Sequence, residues 1–184
     1  AGRTYRHLGP DPFEGFGNRV GDPIPLVCPT SGVGDFRVPA LVAEGPNGSG
    51  TVVLRYRSHE ITRGKPSIAP LPSTYVESDD EAETLTVVLG DDLTGLEVDI
   101  RLTIFDDRPI VARSSTIRAT GAPMTIRTAV RLSLDLPDQD WVLVHLTGAW
   151  AREAHVVERV LQPGRVAISS GRGASGAQHN PFLA

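Results

Sequence analysis

An all-β sandwich is the fold class this sequence predicts, and three observations predict it. Short stretches of apolar–polar alternation recur between residues 51 and 170, turn residues fall between them, and no window of eleven residues carries a convincing 3.6-residue period. A chain of 184 residues with 40% hydrophobic content is also long enough for one domain with a core of useful size.

Residues 1–50 are rich in glycine and proline and alternate nowhere, so they are expected to form an extended, loop-rich lead-in, with the sandwich proper over 51–184. Strands are expected at 51–57 (TVVLRYR), 84–89, 96–105, 110–119, 124–136, 141–146, 154–161 and 165–170. Gly64-Lys65-Pro66, Gly90-Asp91-Asp92, Asp106-Asp107-Arg108-Pro109, Gly121-Ala122-Pro123 and Pro163-Gly164 supply the turn chemistry between them. Four-residue turns separate 96–105, 110–119 and 124–136, which predicts an antiparallel meander. In LEVDIRLTIF, Leu96, Val98, Ile100, Leu102 and Ile104 share one face while Glu97, Asp99, Arg101 and Thr103 share the other, so one face is buried and the other wet or polar. The stretch nearest to a helical pattern, 149–160, fits a strand as well, and no repeat of 20 to 50 residues suggests a propeller or solenoid.

Composition excludes several function classes. A net charge of −4 without any block of five like charges leaves no electrostatic footprint for nucleic acid. Apolar runs of four or five residues are too short to span a membrane, and AGRTYRHLG lacks the apolar stretch of a signal peptide, so a cytoplasmic protein with neither nucleic-acid nor membrane partners is expected. The single cysteine, Cys28, rules out an internal disulfide and a cysteine-based zinc site.

The search for chemistry narrows to one segment. His7, His59, His145, His155 and His179 are scattered without metal-ligand spacing, so no metal and no cofactor is expected. A glycosidase needs two carboxyl groups across a cleft; the carboxylates of Asp79, Asp80, Glu81 and Glu83 are expected in a solvated turn, and those of Asp106 and Asp107 in a hairpin. No GxSxG, P-loop or GxGxxG motif occurs. SGVGDFRVPA at 31–40, however, sets Asp35 beside two glycines and before Phe36 and Arg37. A carboxylate that accepts sugar hydroxyls, an aromatic face that stacks on a pyranose and a guanidinium would make a carbohydrate-binding loop. A turn capped by Asp35 and paired with Arg37 explains the same residues. Trp141 and Trp150 are expected in core or inter-sheet packing, with ligand stacking as the other reading.

GDFRVPAL, LRYRSHEITRGKPSIAPLPSTYVE, LTVVLGDDLTGLEVDIRLTIFDDRPIVARS, LDLPDQDWVLVHLTGAWAREAHV and QHNPF together, in order and in spacing, resemble the N-terminal β-supersandwich domain of the glycoside hydrolase family 36 α-galactosidases, from about residue 35 to the end. YRHLGPD also resembles the family's opening strand, with Leu8 where an aromatic often stands. The resemblance implies an antiparallel, galactose mutarotase-like two-sheet supersandwich, here incomplete, since family members continue beyond HNPF. It implies a parent enzyme with a (β/α)8 barrel that hydrolyses terminal α-galactosides with retention, through an aspartate nucleophile and an aspartate acid/base. Neither motif occurs in these residues, so this chain is expected to be inactive alone and to have no catalytic residue. Its expected partners are the barrel, further copies in a homo-oligomer, and the α-galactoside. In tetrameric members the loop matching GDFR reaches a neighbouring subunit's active site, which makes Asp35, Phe36 and Arg37 the expected substrate-binding residues. Exposed edges of an incomplete sandwich further predict self-association.

Two readings compete with this one. A free-standing carbohydrate-binding or aldose-epimerase-like sandwich would use histidine and carboxylate groups, with His59 and Glu60, or His155 and Glu153, as the residues to test. A structural interaction module unrelated to sugars is the other.

Overall fold

The computed structural model describes residues 26–32, 38–68, 73–134, 136, 140–162, 164–169 and, for the backbone, 179–183. Nine strands make up the described structure: β1 (Leu41–Glu44), β2 (Arg55–Arg63), β3 (Ala82–Asp91), β4 (Leu96–Phe105), β5 (Arg108–Ala119), β6 (Thr125–Ala129), β7 (Val142–Ala149), β8 (Arg152–Val160) and β9 (His179–Leu183). All the paired strands are antiparallel, as expected of the class. The chain divides into two compact units, Ala1–Asp135 and Leu136–Ala184.

In the first unit β2-β3-β4-β5 form one sheet and β1-β6 a second. The alternation of β4 sets their contact. Leu96, Val98 and Ile100, each no more than 2% exposed, meet Leu41 and Ala43 of β1 together with Val52. Cys28, Leu54, Leu89, Leu102, Ile117 and Met124 extend this core as partly buried neighbours. Burial of such side chains supplies roughly 1.5–3 kcal/mol each, which is why two sheets face each other here.

The opposite face of β4 is less wet than its sequence suggests. Asp99 and Thr103 are buried. Asp99 accepts two hydrogen bonds from Arg118, at 2.7 and 2.6 Å, and lies 3.5 Å from Arg101. The hydroxyls of Thr84 and Thr103 share a hydrogen bond at 2.8 Å, and Thr84 Oγ1 donates to the Gly64 carbonyl at 2.7 Å, so the segment after β2 covers this end of the sheet. These polar groups can be buried because each is paired.

Several strands differ from the periodicity. Residues 51–54 are not a strand: Val52 and Leu54 serve the core, and Val53 N donates to Asp91 Oδ2 at 2.9 Å. The strand runs instead over Arg55–Arg63, where nearly every side chain is exposed and alternation gives no signal. β1 arises inside the glycine- and proline-rich lead-in and pairs with β6 from Leu41↔Ala129 to Glu44↔Thr125. β6 therefore leaves the expected meander after β5, and it ends at Ala129 rather than at Leu136. The stretch 165–169 alternates but forms no strand, since alternation shows amphipathicity while a strand also needs a neighbour. The acidic cluster forms a one-turn 3-10 helix, Asp79–Glu81, whose Glu81 carboxylate accepts from Ser78 N at 3.2 Å.

The second unit is a single sheet in the order β8-β7-β9. The helix-like stretch at 149–160 lies largely within β8, as the strand reading of it expected.

Candidate functional site

Asp35, Phe36 and Arg37 lie outside the described residues. The stems on either side of them are described and are tied together. Pro29 O accepts from Ala40 N at 2.8 Å and from Leu41 N at 3.2 Å, so the chain that follows these residues is held against the chain that precedes them. Thr30 Oγ1 donates to Val52 O at 2.6 Å and Ser31 Oγ to Gly50 O at 3.0 Å. Gly32 has φ +87°, and a Cβ there would stand 2.8 Å from Thr51 Cα, so only glycine fits between this stem and its neighbour. Sequence reasoning noticed the glycines of this segment as flexible backbone; Gly32 instead makes a close approach.

A cleft of about 620 Å³ opens beside these stems, between Cys28, the start of β1, the segment after β2 and the outer strand β5. Its cations are Lys65, Arg101, Arg113 and Arg131, and no carboxylate or aromatic residue is among its described lining. Arg101 Nη1 donates to Thr116 Oγ1 at 2.9 Å. Arg113 Nη2 donates to Val27 O at 2.8 Å, while its buried Nε has no hydrogen-bond partner among the described residues. Burial pushes the Cys28 thiol above its ordinary range, and the charge of Arg113 only partly offsets this. The thiol is therefore a protonated, packed group rather than a nucleophile. Nothing in the sequence marked this cleft, because its cations come from four separate segments.

The other candidates do not converge. His59 pairs across to Val87 and Glu60 to Thr86, which places their side chains on opposite faces of the sheet. His59 Nδ1 is instead 2.6 Å from the Tyr56 hydroxyl. Glu153 Oε1 accepts from Ala151 N at 2.8 Å, a hairpin contact, and His155 is exposed. Trp150, expected to pack, stands 87% exposed at the tip of the β7–β8 hairpin, and Trp141 is 38% exposed beside β7. Asp80 and Asp107 are 84% and 68% exposed and engage Arg63 and Arg108. With Glu81 and Asp106 they line one open cleft beside Tyr75 and Phe105, but their exposure and arginine partners set them apart from the shielded carboxyl pair of a glycosidase. Among the described residues no group of three or more His, Cys, Asp or Glu side chains is placed to hold a metal ion.

Paired antiparallel sheets around a strand-derived core define the class: an all-β sandwich domain without a catalytic constellation of its own among the described residues. Residues 12–184 match the Glycosyl hydrolase family 36 N-terminal domain, and the chain belongs to that family. It is 43% identical over 157 residues to Alpha-galactosidase AgaA of Geobacillus stearothermophilus, a match covering 85% of this chain and 22% of that protein. It is 36% identical over 164 residues to Alpha-galactosidase Mel36A of Lactobacillus acidophilus, covering 89% of this chain and 22% of that protein. A crystal structure of a doubly substituted G. stearothermophilus AgaA in complex with raffinose superposes with a TM-score of 0.87 at 39% identity, covering 100% of this chain and 26% of that one. The chain thus spans about a fifth of the length of the curated relatives it matches.

Proposed function

We propose that this chain is the non-catalytic N-terminal part of a retaining α-galactosidase, that it packs on a catalytic barrel and contributes to a homo-oligomer, and that its 33–37 loop meets the α-galactoside bound by a neighbouring subunit. The lead-in over 1–50 carries that loop, the sandwich over 51–184 supports it, and the protein works in the cytoplasm without metal or cofactor.

The observation that carries this reading is the match to family 36 N-terminal domains along residues 12–184, with relatives that are α-galactosidases, one of them solved with raffinose. Tied stems support the role of the loop. Hydrogen bonds from Thr30, Ser31, Ala40 and Leu41 hold both of its ends, so that Asp35, Phe36 and Arg37 are carried on a fixed base. In the parent enzyme Asp35 accepts sugar hydroxyls, Phe36 and Arg37 shape the loop, and the bond-breaking groups lie elsewhere.

Steady-state kinetics of Asp35→Ala in the parent enzyme test this. The expected result is a KM for raffinose raised about tenfold or more, as for loss of a charged hydrogen bond, with the oligomer intact by light scattering. An unchanged KM in an intact oligomer would overturn the loop's role.

A further inference from the structure

We propose that Asp91 is a positioning residue for Asp35 and its neighbours, acting on their base through one peptide group, the one that joins Val52 to Val53. The inference rests on the reading that residues 33–37 meet the α-galactoside.

Val53 N donates to Asp91 Oδ2 at 2.9 Å, and the carbonyl of the same peptide group, Val52 O, accepts from Thr30 Oγ1 at 2.6 Å. One rigid plane is therefore held at both ends, by the last residue of β3 on one side and by Thr30 on the other. Asp91, Val52 and Thr30 are 7%, 1% and 7% exposed, which shields these bonds from water. A carboxylate at the N–H end polarises the peptide group and strengthens its carbonyl as an acceptor, which tightens the hold on Thr30.

The bond to Val53 is more than the turn from β3 to β4 requires. Asp91 Oδ1 accepts from Leu93 N at 2.9 Å, Thr94 adds local hydrogen bonds to the carboxylate, and Gly95 N donates to Asp91 O at 2.9 Å. These contacts close the turn. Oδ2 reaches instead to a residue 38 positions earlier, in a segment that is not a strand. The ladder between β2 and β3 begins at Arg55↔Gly90, and the Asp91 side chain holds the backbone where that ladder has stopped.

The same short segment carries the rest of the base. Ser31 Oγ donates to Gly50 O at 3.0 Å, Val52 N donates to Ser31 O at 3.4 Å, and Gly32 lies so close to Thr51 that a Cβ would come within 2.8 Å of it. Thr30 also forms a parallel bridge with Leu41, on the chain that follows Asp35, Phe36 and Arg37. The chain before and after these three residues thus meets at Thr30, and Asp91 fixes where Thr30 lies relative to the four-stranded sheet. A displacement of about 1 Å in such a base is enough to misplace a binding group. The clamp lies inside the first unit and acts whatever covers its surface.

Steady-state kinetics with raffinose in the parent enzyme, well below each variant's unfolding midpoint, test the role. Asn keeps the turn, because its side-chain carbonyl still accepts from Leu93 N, but it presents an NH2 group to Val53 N, so Asp91→Asn removes the long-range bond selectively. The expected result is a KM raised about threefold to tenfold, with kcat changed by less than about twofold and faster amide exchange at Val53. Thr30→Val breaks the other end of the same contact and is expected to raise KM to a similar degree, the double variant no further than the larger single. In an Asp35→Ala background, Asp91→Asn is expected to add nothing to KM. Asp92, 81% exposed and paired with Arg57, supplies the control Asp92→Asn, with KM unchanged. A KM that stays constant in Asp91→Asn and Thr30→Val while Asp35→Ala raises it would overturn the positioning role and leave the substrate contact standing. Additive losses in the double variant, or an equal rise in Asp92→Asn, would overturn it too. A KM unchanged by Asp35→Ala would remove the substrate contact and the positioning role together. Should Asp91→Asn fail to fold, Thr30→Val, alone and with Asp35→Ala, decides between these outcomes.

Discussion

The two compact units use the same kind of strand and bury it differently. In the first, the four-stranded sheet lies against β1-β6, and Leu41, Ala43, Val52, Leu96, Val98 and Ile100 close a core between them. In the second, eight of the nine residues of β8 are exposed, Val156 and Val160 by 62% and 56%, although Ala154, Val156 and Val160 recur at even positions of the strand, interrupted by Glu158. Alternation sets which side chains share a face. Whether that face becomes a core depends on a second layer, which the first unit has within itself.

The largest expected effect breaks the comparison at its centre. Ile100→Ala removes a fully buried side chain between two sheets and is expected to cost about 2–5 kcal/mol, whereas Val156→Ala in β8 is expected to stay within about 0.5 kcal/mol. Denaturant unfolding of the two variants, followed in each unit by amide exchange, measures both. Equal losses would mean that β8 is as tightly covered as β4, against its exposure.

This contrast also explains what was legible in the sequence. β4 was readable to the residue over 96–105, because one face is core and alternation is what burial on one face produces. β2 was misplaced, because Arg55–Arg63 is exposed on both faces while the apolar Val52 and Leu54 before it serve the core outside any strand. β1 was missed because a four-residue strand, LVAE, is too short to show a period, and its partner β6 lies more than eighty residues on in the sequence. Of the candidate site, Asp35, Phe36 and Arg37 rested on family resemblance and local chemistry alone. The cationic cleft was invisible, since Lys65, Arg101, Arg113 and Arg131 become neighbours only after four separate segments and two sheets are assembled.

Acid sharpens the comparison next. The Arg118 hydrogen bonds hold the Asp99 carboxyl below its ordinary range, against an opposing push from burial, and the charges of Arg118 and Arg101 add to the lowering. Burial pushes Asp91 up, yet hydrogen bonds from Val53, Leu93 and Thr94 outweigh it and leave its carboxyl lowered as well. Both groups belong to the first unit. A carboxyl lowered on folding adds stability that is fully present above its unfolded value of about 3.9 and is lost as pH falls through the folded value. The first unit is therefore expected to weaken below about pH 4 by this route. Asp99→Asn is expected to be less stable than the parent chain by about 1.5 kcal/mol at pH 7, the low end for a charged hydrogen bond because Arg118 is half exposed. The two proteins should converge as pH falls through the folded value of Asp99, below which both side chains are neutral. Unfolding midpoints measured across that range check it, and a constant gap would remove Asp99 from the acid response.

The smallest effect concerns how each unit turns its chain. The turn from β3 to β4 in the first unit places Gly95 at φ +69°, where a Cβ would stand 2.7 Å from Gly121 N, so the left-handed position is filled by the residue that suits it. The hairpin from β7 to β8 places Ala151 at φ +61°, and Ala154 follows at φ +57° where the ladder slips between Thr147 and Ala149. An L-residue in that region costs about 1–2 kcal/mol; glycine relieves this but gives back about 0.5–1 kcal/mol in the entropy of the unfolded chain. Ala151→Gly is thus expected to stabilise the second unit by less than about 1 kcal/mol and to slow amide exchange in β7 and β8 while leaving β3 and β4 unchanged. Protection that rises in the first unit instead would show that the two units unfold as one, and the contrast in their burial would then have no counterpart in their stability.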